Sequence, residues 1–292
     1  MGATPQELWA TSRETSLRML AYDTSDATAS VVALHGLRTS ADVLRTARPG
    51  LDPFAELAAL GFNVLALDWP GHGRSGGRRG HLSYRLAMDA AAEAVGIALE
   101  RWSGRVGLLG TALGGVLAFY AALEDDRIGA VACHNVLDLR DVRPVLQRYR
   151  QGVLLPLAGS LHRLLPGDWQ ASTPIPAAAL VANVDLAADP ALSRALRRHP
   201  QAVTSYDLAA LVSIFLTPED KPDVAAQRVP TFVALGGGDR VLPETATRQF
   251  VSKLTCPHEL WILPGAGHQL LLEHPTAVLP AMAAFLREHL RQ

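Results

Sequence analysis

Gly110-Thr111-Ala112-Leu113-Gly114 frames a position at which chemistry could take place. A short apolar run, Val106 to Leu109, leads into it, and an apolar helical run starts at Leu113. A strand that turns straight into a helix holds its central residue in a strained conformation. The residues two before and two after must then be nearly free of side chain. Gly110 and Gly114 meet that need. A serine at the centre of Gly-x-Ser-x-Gly in this setting attacks acyl groups, but here the centre is Ala112, whose side chain has no oxygen. Thr111 is no substitute, because the neighbouring turn position points its side chain elsewhere.

Two further residues have useful chemistry. Asp239 follows three glycines at the end of an apolar run, and His268 lies in Pro-Gly-Ala-Gly-His. Taken singly, Asp239 reads equally well as the cap of a loop, and His268 as an ordinary loop histidine. His72 in Gly-His-Gly reads as structural, with Asp68 organising the same loop by hydrogen bonding. His134, His162, His199, His258, His274 and His289 lack the spacing of metal ligands, so no metal site is expected. Cys133, within an apolar run, reads as core packing, and with Cys256 it makes neither a disulfide framework nor a zinc set. A reducing, cytoplasmic setting is the expectation. Arg78, Arg79 and Arg85 read as a solvated rim.

The elements that must position these residues alternate. Strands are expected at Leu8–Arg13, Leu17–Tyr22, Val31–Leu34, Phe62–Leu67, Arg105–Leu109, Ile128–Cys133, Thr231–Leu235 and Leu260–Leu263. Helices are expected at Phe54–Leu60, Ser83–Trp102, Leu113–Leu123, Glu244–Leu254 and Pro275–Leu290. The continuous apolar runs are those of strands buried on both faces. Strand–helix alternation implies an α/β fold with a mostly parallel sheet flanked by helices, and the two opening strands pair antiparallel at one edge. No convincing buried strand lies between Asn135 and Val229, where proline-punctuated helical segments predominate. The expected division is therefore a core of 1–135 and 230–292 with a helical cap of 136–229. Residues from about Arg143 to Leu216 should lie over the carboxyl edge of the sheet.

Composition removes other classes. At 49% hydrophobic and 19% charged the chain can bury a core, which rules out a disordered protein. Its net charge of −1 supplies no basic face for nucleic acid. The eighteen uncharged residues from Val106 to Leu123 match a membrane span in length. Their glycines and the change of pattern fit a strand, a turn and a helix better, so no integral membrane segment is expected. The N-terminus has no signal-peptide pattern.

With these blocks assembled, the chain resembles the α/β-hydrolase superfamily over nearly its whole length. The resemblance rests on the glycine-framed turn, on His35-Gly36 after a buried strand, and on Leu67–Gly77 (LDWPGHGRSGG). It rests equally on Gly236–Pro243 (GGGDRVLP) and Pro264–Pro275 (PGAGHQLLLEHP). The Gly-His-Gly run and the start of the cap look most like the monoacylglycerol lipase and lysophospholipase-like branch. The resemblance implies an α/β-hydrolase fold with a helical lid and a triad in the order nucleophile, acid, histidine. Ala112 then occupies the nucleophile position, Asp239 is the acid and His268 the general base. The backbone N–H groups of Leu37 and Leu113 form the oxyanion hole, and His35 shapes the oxyanion loop.

The implied function is a serine hydrolase of carboxylic esters, which needs no metal or organic cofactor. Its expected partner is a small-molecule ester with an apolar acyl or aromatic group, and the sequence sets no oligomeric state. Lactonase, amidase and thioesterase activities share the same machinery. A dehalogenase or epoxide hydrolase would need a carboxylate nucleophile. An alanine amid otherwise intact machinery reads as an inactivating Ser→Ala replacement. The alternative is a natural pseudo-hydrolase that binds a ligand without catalysis.

Overall fold

A computed structural model describes residues 4–102, 104–146, 173–177 and 186–291. Its strands are β1 (Gln6–Ser12), β2 (Thr15–Tyr22), β3 (Ala29–Leu34), β4 (Phe62–Leu67), β5 (Val106–Thr111), β6 (Ile128–His134), β7 (Pro174–Pro176), β8 (Ser205–Asp207), β9 (Thr231–Gly236) and β10 (His258–Leu263). Eight of them form one sheet in the order β1-β2-β4-β3-β5-β6-β9-β10. The pairings β1–β2 and β2–β4 are antiparallel, and all others in this sheet are parallel. This is the α/β-hydrolase fold.

The apolar runs occupy the middle because they can be covered on both faces. Every residue of β3, β4, β5 and β9 is buried. Side chains alternate between faces: Val32 and Leu34 join one core layer, Val31 and Ala33 the other. Helices α1 (Ala41–Thr46) and α2 (Pro53–Ala59) cover the second layer, and α3 (Tyr84–Arg101) and α4 (Leu113–Glu124) the first. Ser40, Asp52 and Ser83 cap α1, α2 and α3 by accepting first-turn N–H groups. The stretch Val106–Leu123 divides into β5, a turn and α4. Among the described residues no helix is long and apolar enough to cross a membrane.

Between Asn135 and Val229 the described residues hold α5 (Arg143–Leu146), α6 (Pro190–Arg198) and α7 (Leu208–Phe215). They also hold an antiparallel ladder that the sequence reading lacked, in which β7 pairs with β8 through Ile175 and Tyr206. Three-residue strands, one of them bounded by two prolines, are too short to show an alternation. Much of the expected lid, 147–172 and 178–185, lies outside the described residues. The chain closes with α8 (Glu244–Val251), α9 (Leu270–Glu273) and α10 (Pro275–Leu290). The short α1 and α9 also carried no visible signal in the sequence.

Candidate active site

β5 ends at Thr111 and α4 begins at Leu113, so Ala112 alone makes the turn, at φ 51° and ψ −123°. L-residues rarely adopt that conformation. The glycines explain how the turn closes. A Cβ on Gly110 would lie 2.1 Å from the Gly114 carbonyl oxygen, and one on Gly114 would lie 2.2 Å from the Leu34 carbonyl oxygen. Ala112 N–H donates to the His134 carbonyl at 2.8 Å, which pins the turn to the end of β6. Leu113 is the first residue of α4, where an amide has no intrahelical acceptor. The loop after β3 packs directly against this turn, since a Cβ on Gly36 would come within 2.9 Å of the Ala112 Cβ.

Asp239 and His268 meet beside it. His268 Nδ1 lies 2.8 Å from Asp239 Oδ2, and both side chains are buried. The other carboxylate oxygen, Oδ1, accepts the N–H groups of Val241 (2.6 Å) and Leu242 (3.0 Å). Burial alone would raise the Asp239 carboxyl, but the His268 imidazole and these two amides outweigh it and hold it below its ordinary value. An ionised Asp239 facing Nδ1 favours the tautomer with its proton on Nδ1, which leaves Nε2 free to accept one.

Two neighbours escaped the sequence reading. Asn135, buried and at φ 63°, places Nδ2 2.9 Å from His268 Nδ1 and 3.1 Å from the His268 carbonyl oxygen, to which it donates. Asparagine tolerates a positive φ better than most residues, so an Asn directly after a buried strand was the available signal. His134 accepts the Leu270 N–H at Nε2, 3.3 Å away. Burial pushes His134 down to about 3, so it is a neutral ring 6.2 Å from that of His268.

His35, also neutral and pushed down to about 4 by burial, donates from Nδ1 to the Gly36 carbonyl. Asp68 accepts the N–H groups of Ala41 and Arg74 and pairs with Arg18. Arg78 and Arg79 are tied down rather than merely solvated, to Asp207 and to the Gln201 carbonyl respectively.

Leu37, Ala112, Leu113 and His268 all line one cavity of about 180 Å³, together with Gly36 and Asn135. Val142, Val145, Leu186 and Phe215 from the insertion supply much of its apolar wall. Of the five residues expected to form the site, Leu37, Ala112, Leu113 and His268 thus line one cavity, and Asp239 stands behind His268. Among the described residues no group of three or more His, Cys, Asp or Glu could hold a metal ion.

A family model described as serine aminopeptidase, S33, matches residues 25–275. The chain belongs to this family of α/β hydrolases. It is similar to a monoacylglycerol lipase of Mycolicibacterium smegmatis, with 28% identity over 252 residues and 80% of each chain covered. It is also similar to a pimeloyl-[acyl-carrier protein] methyl ester esterase of Edwardsiella ictaluri, 26% identical over 87% of this chain and 92% of that one. Among solved structures, the monoacylglycerol lipase of Paleococcus ferrophilus superposes with a TM-score of 0.73. At 22% identity it covers 94% of this hydrolase and 99% of itself, a likeness of fold.

Proposed function

We propose that this hydrolase has the frame of a serine esterase acting on carboxylic esters with an apolar acyl or aromatic group, and that alanine at its nucleophile position withholds the chemistry. The observation that carries the reading is the buried Asp239–His268 pair at 2.8 Å, whose histidine lines the cavity that also holds the strained residue 112. An ordinary loop histidine has no reason to stand between an ionised acid and an apolar cavity that holds a left-handed turn.

In this reading a serine at 112 gives its proton to His268 Nε2 and attacks the ester carbonyl. Asp239 stabilises the imidazolium that forms. The Leu37 and Leu113 N–H groups receive the oxyanion, where exclusion of water strengthens their hydrogen bonds. His268 returns the proton to the leaving alcohol, and water then hydrolyses the acyl-enzyme by the same route in reverse. Residues 136–229 act as the cap that supplies the apolar wall. No cofactor has a part in these steps.

Ala112→Ser tests this on 4-nitrophenyl esters of graded chain length, with lactones, thioesters and amides alongside. Losing a nucleophile of this kind costs on the order of 10⁶ in turnover, so the serine variant should exceed the present chain by at least ~10³. A variant as inert as the present chain across that panel sinks the esterase reading. Ala112 itself favours a second reading, a module that binds its ligand and leaves it intact. Tight binding of an apolar ester by both chains, with no turnover by the serine variant, would select that one.

A further inference from the structure

The insertion grips the oxyanion loop at three points. Ser40 Oγ donates to Gln201 Oε1 at 2.8 Å, Val203 N–H donates to the Arg38 carbonyl at 3.1 Å, and Arg38 N–H donates to the Tyr206 hydroxyl at 2.7 Å. Tyr206 belongs to β8 and is only 2% exposed.

The geometry fixes which way this hydroxyl points. His72 Nδ1 lies 3.0 Å from the Pro70 carbonyl oxygen, and His72 Nε2 lies 3.0 Å from the Tyr206 hydroxyl. A carbonyl only accepts, so the proton of neutral His72 sits on Nδ1 and Nε2 accepts from the tyrosine O–H. Burial pushes His72 down to about 3, so this arrangement persists throughout the neutral range. The Tyr206 oxygen therefore turns its lone pairs to the Arg38 amide. A chain of hydrogen bonds runs from the β4 loop through the insertion to the oxyanion loop.

Arg38 needs such a hold. Its φ is 67°, unfavourable for a residue with a Cβ. Rotation of the peptide between Leu37 and Arg38 would relieve that φ, and the bond from its N–H to the Tyr206 hydroxyl opposes it. The adjoining peptide carries the Leu37 N–H, the amide assigned above to the oxyanion. We infer that Tyr206 is a positioning residue for the oxyanion loop: through its hydroxyl the insertion keeps the Leu37 amide aimed at the reacting carbonyl. Tyr206 touches no reacting atom itself. The inference rests on the esterase reading.

The experiment has two arms. In the Ala112→Ser background, Tyr206→Phe keeps the ring and removes the acceptor. Loss of an oxyanion donor costs ~10²–10³ in kcat, so loosening one should lower kcat at least ~10-fold with KM nearly unchanged. Tyr120→Phe is the control. That buried hydroxyl holds the Leu139 amide and Asp138 instead, so its loss should reduce stability and leave kcat alone. The second arm needs no catalysis. In the chain as it stands, Tyr206→Phe should speed amide hydrogen exchange at Arg38 by at least ~10-fold, with protection in β5 and β6 unchanged. An active serine variant whose kcat falls less than about threefold on Tyr206→Phe overturns the inference. So does unchanged exchange at the Arg38 amide. A serine variant with no activity sinks the esterase reading instead, and the exchange arm still decides whether Tyr206 holds the loop.

Discussion

Replacing Ala112 by glycine should make this protein more stable, against the general rule that glycine destabilises. Ala112 is held at φ 51°, ψ −123°, and a residue in such a sparsely populated region carries roughly 1–3 kcal/mol of strain. Glycine adopts the same angles freely. Two losses oppose the gain. The more flexible unfolded chain takes back about 0.4–1 kcal/mol, and removing a methyl that is only part-buried forfeits less than about 0.8 kcal/mol. The expected net effect is a stabilisation of about 1 kcal/mol. For a chain of this length that raises Tm by only ~1–2 °C, so urea is the better probe. With an m-value of roughly 3 kcal/mol/M the midpoint should rise by ~0.3 M. Ala118→Gly, in the buried face of α4, should move the midpoint the other way, because glycine in a helix interior costs about 1 kcal/mol. If Ala112→Gly lowers the midpoint as Ala118→Gly does, the turn is not strained and the reasoning that ties its shape to a reactive residue collapses.

Three further outcomes follow from the same site. In the Ala112→Ser background, Asp239→Asn should lower kcat by about 10⁴, because an amide facing Nδ1 no longer selects the productive tautomer; a loss below tenfold would remove Asp239 from the triad. Val145→Asp, on the insertion side of the cavity, should weaken binding of apolar esters by at least ~10-fold while the circular dichroism spectrum and urea midpoint hold; unchanged affinity for every apolar ligand that binds would mean the insertion does not select substrates. His35, His72 and His134, held down to about 4, 3 and 3 by burial, are neutral when folded and protonate when unfolded near 6.5. Their contribution is therefore complete above about pH 6.5 and drains away as pH falls toward 4 and 3. Urea midpoints at pH 7, 6 and 5 should show unfolding taking up nearly three protons near pH 5, and an uptake of one or fewer would contradict the neutral assignments.

The sequence disclosed what depends on short-range pattern. Continuous apolar runs located the buried strands, because nothing but burial on both faces explains four to six apolar residues in a row. Gly110 and Gly114 located the turn, because backbone crowding leaves no other residue type. Long-range partners left little trace. β8 is three residues long and is defined by pairing with β7 some thirty residues earlier. Arg78 and Arg79 looked like a solvated rim, since nothing local points to Asp207 or to the Gln201 carbonyl, more than a hundred residues away. Asn135 was legible only as an asparagine after a strand. Its place beside His268 arises from two loops that the parallel sheet delivers to the same edge.

The three tethers from Gln201, Val203 and Tyr206 to the loop at Arg38–Ser40 also limit how this protein can be recombined. The insertion leaves the sheet after β6 and returns before β9, two neighbouring strands, and a segment placed so invites transplantation. In this chain a foreign insertion would sever those tethers and free a peptide already set against its own backbone preference. A workable chimera would have to carry Leu37–Ser40 and Gln201–Tyr206 as one inherited unit, although more than 160 residues separate them in the chain.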